Sequence, residues 1–581
     1  MKFKFFLFNF ILFFIFTPVI SFAEPQTKGK QDLIQADSFV YDYITALTME
    51  TGNISLCDQA PVSINEIYTY LKAIDYENLS NAGKNAYDSI IESFTTNQLV
   101  LESDIIKIGF RPSFNLEGYY KSNENIDWIY RYNQRKPLID VPFFVNIGDY
   151  ISMETDLAFG QNKGQRLHHK NYINIPFSVN QMDINFPSYG YLSTGYDFTD
   201  SVHLNLQLGM GPQSVGRSAT GSMIMSEYFT GASYLNMEIF SPNIKYNMNV
   251  TQFNVDKYMY THRFDFRFFR KVQFLMSESI LVYAPLELRF LNPLTVFHGY
   301  TPWLDYSPAE DYREYGTCAY MCFGLSYTPV KYLRLYGLFA QDQFQTKYER
   351  DNWPEDSTPN AIGTQLGIES FIPYTEGYFH TWIEGSYADP FLYIKEDPNS
   401  SLVRTYRENM GDLSIFYEWV GSPFGPDTIS GEFNFGYTIP SKAELTLTYL
   451  FMAKGEYSGN KVFTDALDWG GFDTVPGNRP DGKPDVTEWA YPSEYKPGGL
   501  EEAKRRQALI APSGIPEYVN RISLFGSYTP VKFITINSQI GYVYILNFDN
   551  QYGVNKSGFE LTCSVNLKLP DFHTSSKNLM Y

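Results

Sequence analysis

Over eleven residues near the C-terminal end, apolar and polar side chains alternate without a slip. Phe559, Leu561, Cys563, Val565, Leu567 and Leu569 share one face, and Glu560, Thr562, Ser564, Asn566 and Lys568 share the other. A period of two over that length describes a tilted strand of ~9 to 11 residues with one side in hydrocarbon and one in water. The pattern returns where Tyr258, Tyr260, His262, Phe264, Phe266 and Phe268 are set against Thr261, Arg263, Asp265 and Arg267. Similar segments occupy 105–119, 202–210, 333–339, 432–438 and 443–451. Downstream of residue 23 no apolar run reaches the ~18 residues that a membrane helix needs. A soluble sandwich would also alternate, but the number of such strands, with Tyr and Phe at their ends, favours a closed transmembrane barrel.

Composition narrows the classes further. The chain has 581 residues, with 17% aromatic, 19% charged and only 4 Cys, which excludes a disordered chain and a disulfide scaffold. The formal charge of −19 has the wrong sign for a general nucleic-acid binder. Cys318 and Cys322 lie four apart in a strand-like stretch, ~13 Å along one face and too far apart for a disulfide.

Residues 1–23 read as a secretory signal: Lys2 and Lys4, an apolar stretch, then Ser21-Phe22-Ala23. The competing reading is an uncleaved anchor. Residues 24–102 form a periplasmic helical segment, a possible plug. Ser63 with Glu66 makes a capping box, followed at helical spacing by Ile64, Ile67, Tyr68, Leu71 and Ile74. Ser80 caps a second helix carrying Ala86, Tyr87, Ile90, Ile91 and Phe94, so a hairpin is expected with an apolar stripe on each helix. It either plugs the barrel mouth or packs on its rim. Residues 103–572 form the barrel: at ~26 residues per strand and connection, about 18 antiparallel strands, with 16 as the runner-up. Two near-repeats, 326–331 and 527–532, read as periplasmic turns, and 457–516 as a long extracellular loop. Residues 573–581 are a C-terminal tail, and Phe572 or Tyr581 would supply the final aromatic that barrel assembly reads.

Residues 260–268, then Ser277-Glu278-Ser279, Tyr283, Glu287-Leu288-Arg289-Phe290-Leu291-Asn292-Pro293 and His298, resemble the central region of the Wzi-type capsule-assembly outer-membrane proteins. Gly211-Pro212-Gln213, Gly216-Arg217, Thr220-Gly221-Ser222 with Ser226, and Gly425-Pro426-Asp427 are similar as well. The resemblance covers roughly 200–455. It implies an 18-stranded barrel with an N-terminal helical element at the periplasmic end, helping to hold capsular polysaccharide at the cell surface.

Candidate ligand-binding residues are Arg263, Asp265 and Arg267, a charged ladder facing the lumen, with His262, Glu278, Glu287 and Arg289. A guanidinium fork suits planar anions and sugar hydroxyls, and a salt-bridge network stiffening the wall is the structural alternative. Hairpin register pairs positions summing to 540, which sets His262 opposite Glu278 on the lipid face. A bulge near Ser277 that turns Glu278 inward is the favoured arrangement, because a carboxylate facing lipid is costly. The Trp303, Tyr306, Trp469 and Trp489 rings and Lys504-Arg505-Arg506 fall in loops, where packing or solvation explains them as readily as sugar contacts do. His168 and His169 would point to opposite faces, a poor metal pair, and 481–485 lacks calcium-loop ligands. No nucleophile, zinc or phosphate-loop motif occurs. The expected protein is therefore a non-catalytic outer-membrane barrel of a diderm bacterium, without cofactor or metal. Its expected partners are outer-membrane lipid, surface polysaccharide and the barrel assembly machinery. A porin or substrate-specific channel is the alternative.

Overall fold

The computed structural model describes residues 26–96, 99–102, 105–126, 137–161, 171–176, 182–185, 189–297, 317–352, 359–395, 399–409, 413–456 and 508–568. The leader, the tail and the loop residues 457–507 lie outside these, together with His168, His169, Trp303, Tyr306, Trp469, Trp489, Lys504, Arg505 and Arg506.

The described chain crosses the sheet in eighteen passes, and two further short strands, Leu99–Glu102 and Tyr172–Ile173, pair with the first of them at 107–110 and 118–119. The passes are β1 (Ile106–Phe110 and Ser113–Lys121), β2 (Ile139–Asp140 and Phe143–Ile147), β3 (Ile151–Thr155 and Ala158–Gln161), β4 (Met182–Asn185 and Gly190–Asp197), β5 (His203–Met210) and β6 (Ser233–Phe240). Next come β7 (Ile244–Asn254), β8 (Lys257–Phe268), β9 (Val272–Tyr283), β10 (Thr317–Tyr327), β11 (Leu333–Gln343) and β12 (Ala361–Tyr374). The ring is completed by β13 (Gly377–Ala388), β14 (Thr428–Ile439), β15 (Ala443–Lys454), β16 (Glu517–Val531), β17 (Ile534–Leu546) and β18 (Lys556–Lys568). Every neighbour is antiparallel, and β18 closes onto β1 with Leu567 opposite Phe114. Closure removes the unpaired edge that lipid would not tolerate. Pro112 and Pro142 sit in the interruptions of β1 and β2 at one height, where Arg111 N–H donates to the Pro142 carbonyl at 2.9 Å. A residue without an N–H cannot continue the ladder there.

Alternation sorts the wall into two faces. Phe559, Leu561 and Cys563 are exposed on the outside, while Glu560, Thr562 and Ser564 are buried inside. The short turns at 241–243, 269–271, 375–376, 440–442 and 532–533 gather at one end, as do the near-repeats after β10 and within β16. By the usual asymmetry of such barrels, this is the periplasmic end.

That end carries the N-terminal segment: α1 (Val40–Glu50), α2 (Ile64–Leu71) and α3 (Asn81–Ser93). Ser63 accepts the Glu66 N–H and Ser80 accepts the Gly83 N–H, the two expected caps. The hairpin is thus joined by a third helix, α1, which the sequence pattern did not disclose. Its residues contact the barrel turns directly: Ile54 N–H donates to Arg270 O at 2.8 Å, Tyr332 N–H to Met49 O at 2.9 Å, and Asn85 to Glu376 O at 2.9 Å. The contact also reaches into the mouth. Lys245, fully buried near the start of β7, donates to Glu66 of α2 at 2.6 Å and lies against Glu238 of β6. Glu50 of α1 accepts from Tyr378 of β13 at 2.8 Å. Phe371 and Tyr378 from the wall belong to the same apolar cluster as Ile44, Leu47, Ile67 and Ile90.

Candidate functional site

The register of β8 with β9 is the one expected: Phe264 faces Met276, Arg267 faces Gln273 and His262 faces Glu278. The bulge near Ser277 is absent. Pairing runs unbroken through Arg263 and Ser277, so Glu278 stays on the outer face beside His262. The reason lies in the chain after β9, which folds back over the outside of the wall. Phe297 lies tilted 4.4 Å from the His262 ring and Phe290 lies 5.0 Å from Tyr260, so His262 sits under a protein cover rather than bare hydrocarbon, with Glu278 half-buried beside it.

The seven predicted residues therefore separate into three groups. Arg263 and Asp265 face the lumen and pair with each other, Nε to Oδ2 at 2.8 Å, both almost wholly buried. Arg267, one step nearer the periplasm, donates to the Ile54 carbonyl at 3.1 Å and to Asn243 Oδ1. The ladder forms, and it stands where the N-terminal segment is seated. His262 and Glu278 are on the opposite face of the wall. Glu287 and Arg289 pair at 2.5 Å in the external cover.

What fills the lumen is a second insert. The connection between β5 and β6, residues 211–232, starts at the extracellular end and descends inside the barrel. Ser214–Val215 pairs with Gln59–Ala60 of the N-terminal segment, so the two inserts interlock. Arg217 joins them again, reaching Asp42 of α1 at 2.7 Å and Glu369 of β12 at 3.1 Å. Glu369 also takes Arg334 of β11 at 3.0 Å. Higher up, the Glu384 carboxylate accepts the Ala219 and Thr220 N–H groups at 2.8 and 3.0 Å and the Tyr336 hydroxyl. Gln365 accepts the Met223 N–H at 3.1 Å. Gly216 (φ 87°) and Gly221 (φ 100°) turn the insert through backbone angles that side chains disfavour, which is the physical use of two glycines in the resembling motif. Met223, Ile224, Met225 and Phe229 then pack on Leu275, Tyr320, Tyr336, Leu338 and Trp382 of the inner wall. On this side the lumen is a packed core, not a wet channel.

Beside the inserts a chamber of about 200 Å³ remains against the inner faces of β14–β17. Its wall presents Glu432, Glu444, Thr446, Thr448, Arg521, Ser523 and Gln539, and Tyr228, Phe424 and Phe525 add rings. The polar groups are held in place: Asn434 donates to Glu432 at 2.6 Å, Thr446 to Glu444 at 2.9 Å, and Gln539 and Arg521 to Glu560 at 3.1 and 3.3 Å. Towards the extracellular side, Leu450 and Phe424 join Met452, Val519, Val543, Ile545 and Ile126 in an apolar roof. Hydroxyls, carboxylates, an amide and ring faces around one small space suit a polyhydroxylated ligand. The sequence reading missed this site, although two of its strands were recognised. The usable signal was the carboxylates and hydroxyls on the inward phase of those strands.

Among the described residues no three His, Cys, Asp or Glu side chains converge as metal ligands would. In the N-terminal segment, burial beside Glu66 pushes the Cys57 thiol well above its ordinary value, leaving it unreactive at neutral pH.

No family model and no curated relative matches the chain. Among solved structures it is similar to Wzi of Escherichia coli, described as a carbohydrate-binding outer-membrane β-barrel involved in group 1 capsule assembly. The identity is 11% and the TM-score 0.52, over 92% of this chain and 99% of that one. It is similar more loosely to the outer-membrane channel DcaP of Acinetobacter baumannii, at 10% identity and TM-score 0.32 over 81% and 99% of the two chains. OccD3 of Pseudomonas aeruginosa follows at 8% identity and TM-score 0.29, over 79% and 91%. The first likeness shows the fold, and the other two carry no further argument.

Proposed function

We propose that this protein is a closed, non-catalytic barrel in the outer membrane of a diderm bacterium, and that it binds or organises surface polysaccharide, capsular or other. Kinship with the Wzi-type proteins is part of this proposal. The observation that carries it is the interlocking of the two inserts: a lumen occupied from both ends serves retention rather than passage, and the chamber beside them is small, with polar groups and rings together in its lining. Lipid surrounds the apolar outer face, and the barrel assembly machinery inserts the chain. In this reading the chamber on β14–β17 holds one sugar residue, while Arg263, Asp265 and Arg267 seat the N-terminal segment.

The test is glycan retention at the cell surface, paired with binding of the purified glycan. Thr448→Val with Gln539→Leu removes two hydrogen-bonding side chains from the chamber wall. At about 0.5–1.5 kcal/mol each, affinity should fall roughly tenfold. Full retention by this variant, together with release by Arg263→Leu and Arg267→Leu, would move the site to the ladder.

A substrate-specific channel is the second reading. It is favoured by the polar inner face that continues beside the inserts, from Gln539 through Glu560 and Thr562 to Asn115 and Glu117. The apolar roof would then be its closed gate.

A further inference from the structure

The segment 284–297 lies outside the barrel, and its two sides differ. Towards the wall, Phe290 and Phe297 are 0% exposed, packed on Val250, Tyr260, Ile280 and Val282. These wall positions are in the outward phase of β7, β8 and β9: Val250 pairs with Tyr260, and Tyr260 with Ile280. The Glu287 N–H donates to the Tyr260 hydroxyl at 2.9 Å and ties the segment down. Away from the wall, Leu288 is 78% and Leu294 88% exposed, with Leu286 and Val296 beside them. The charges in this stretch, Glu287 and Arg289, neutralise each other at 2.5 Å. Directly below on the same face, Phe264 and Met276 are exposed members of the lipid-facing belt.

From this we infer that residues 284–297 form a flap in the outer leaflet, with acyl chains against Leu286, Leu288, Leu294 and Val296. Four aliphatic side chains facing water would lose the hydrophobic free energy that the same side chains gain in lipid. Continuity with the belt sets the occupant, since a surface that begins in hydrocarbon at Phe264 extends upward through the flap, broken only by the paired ions and by Asn292, whose Oδ1 accepts the Leu294 N–H at 3.1 Å. The flap also explains how the wall carries His262 outward: Phe297 covers its ring where hydrocarbon would otherwise reach. This inference is independent of what the chamber holds.

The test uses the full chain in proteoliposomes of phosphatidylcholine. Cys57, Cys318 and Cys322 are buried, so Cys563→Ser leaves no exposed thiol among the described residues. Leu294→Cys or Leu288→Cys then accepts a nitroxide, with Phe264→Cys as the lipid reference and Tyr552→Cys, in a highly exposed turn, as the water reference. Collision with oxygen should exceed collision with a water-soluble nickel chelate several-fold at 294 and 288, as at 264. Chelate access matching that at 552 would overturn the inference. So would low access to both reagents accompanied by dipolar broadening between labels, which would make the flap a contact between two copies. Val296→Cys repeats the measurement should either leucine variant fail to fold.

Discussion

Glu369→Leu should destabilise the protein by about 3–5 kcal/mol, the range for removing one partner of a buried ion pair and leaving the other charge uncompensated. Glu369 is fully buried and holds two guanidinium groups, Arg217 from the inward insert and Arg334 from the wall. Without it both cations remain in the barrel interior. Arg217 keeps Asp42, whereas Arg334 keeps the Arg217 carbonyl, the Ser326 hydroxyl and the Tyr336 ring 4.4 Å away, none of which carries a compensating charge. Denaturant unfolding of the detergent-folded protein measures the loss. Limited proteolysis within 211–232 should rise in parallel, because the insert loses its anchor to β12. Adding Arg334→Met should recover part of the deficit by removing one stranded charge. A variant as stable as the parent, with an insert equally resistant to protease, would show that this network does not hold the insert.

The second large effect is on conductance. Deleting residues 28–96 opens the periplasmic mouth but leaves residues 211–232 fixed to the wall by Gln365, Glu369 and Glu384. That deletion alone should raise single-channel conductance modestly. Replacing 212–231 by a short Gly-Ser link in the same chain should raise it by roughly tenfold or more, since an empty barrel of this strand number leaves an aqueous lumen. If the N-terminal deletion alone gives the full increase, the inward insert is not a barrier. If the double variant, correctly folded, still does not conduct, the apolar roof or the outer loops close the barrel by themselves.

How much of this was legible in the sequence follows from the range of the forces involved. Strands β1, β5, β8, β9, β11, β14, β15 and β18 were, because membrane and water impose a period of two on each strand locally, and the β8–β9 register could be read residue by residue; the other strands entered only as a count from chain length. Helices α2 and α3 were also legible, through Ser63 and Ser80 as caps and one apolar stripe each. Helix α1 was not. It is buried from Val40 to Glu50 except at Asp42, and it has no side-chain cap, so neither an amphipathic stripe nor a start signal marks it. The inward insert was equally hidden, since its seat is made by Gln365, Glu369 and Glu384, about 150 residues further along the chain. The chamber's carboxylates and hydroxyls lie on the readable inward phase of β14 and β15, but which inward residues border open space is set by the inserts. The expected bulge rests on an outer face of bare lipid, whereas this face carries the tertiary cover of Phe297 on His262, which no local pattern announces. Glu369 itself sits in the inward phase of β12, but nothing local sets its two arginine partners.

The most direct test of the closed-barrel account is the conductance of the unaltered full-length protein in a planar lipid bilayer. Two interlocked inserts predict at most small, infrequent current steps at moderate voltage. A large, stable and permanently open conductance, like that of a general porin, would contradict the account.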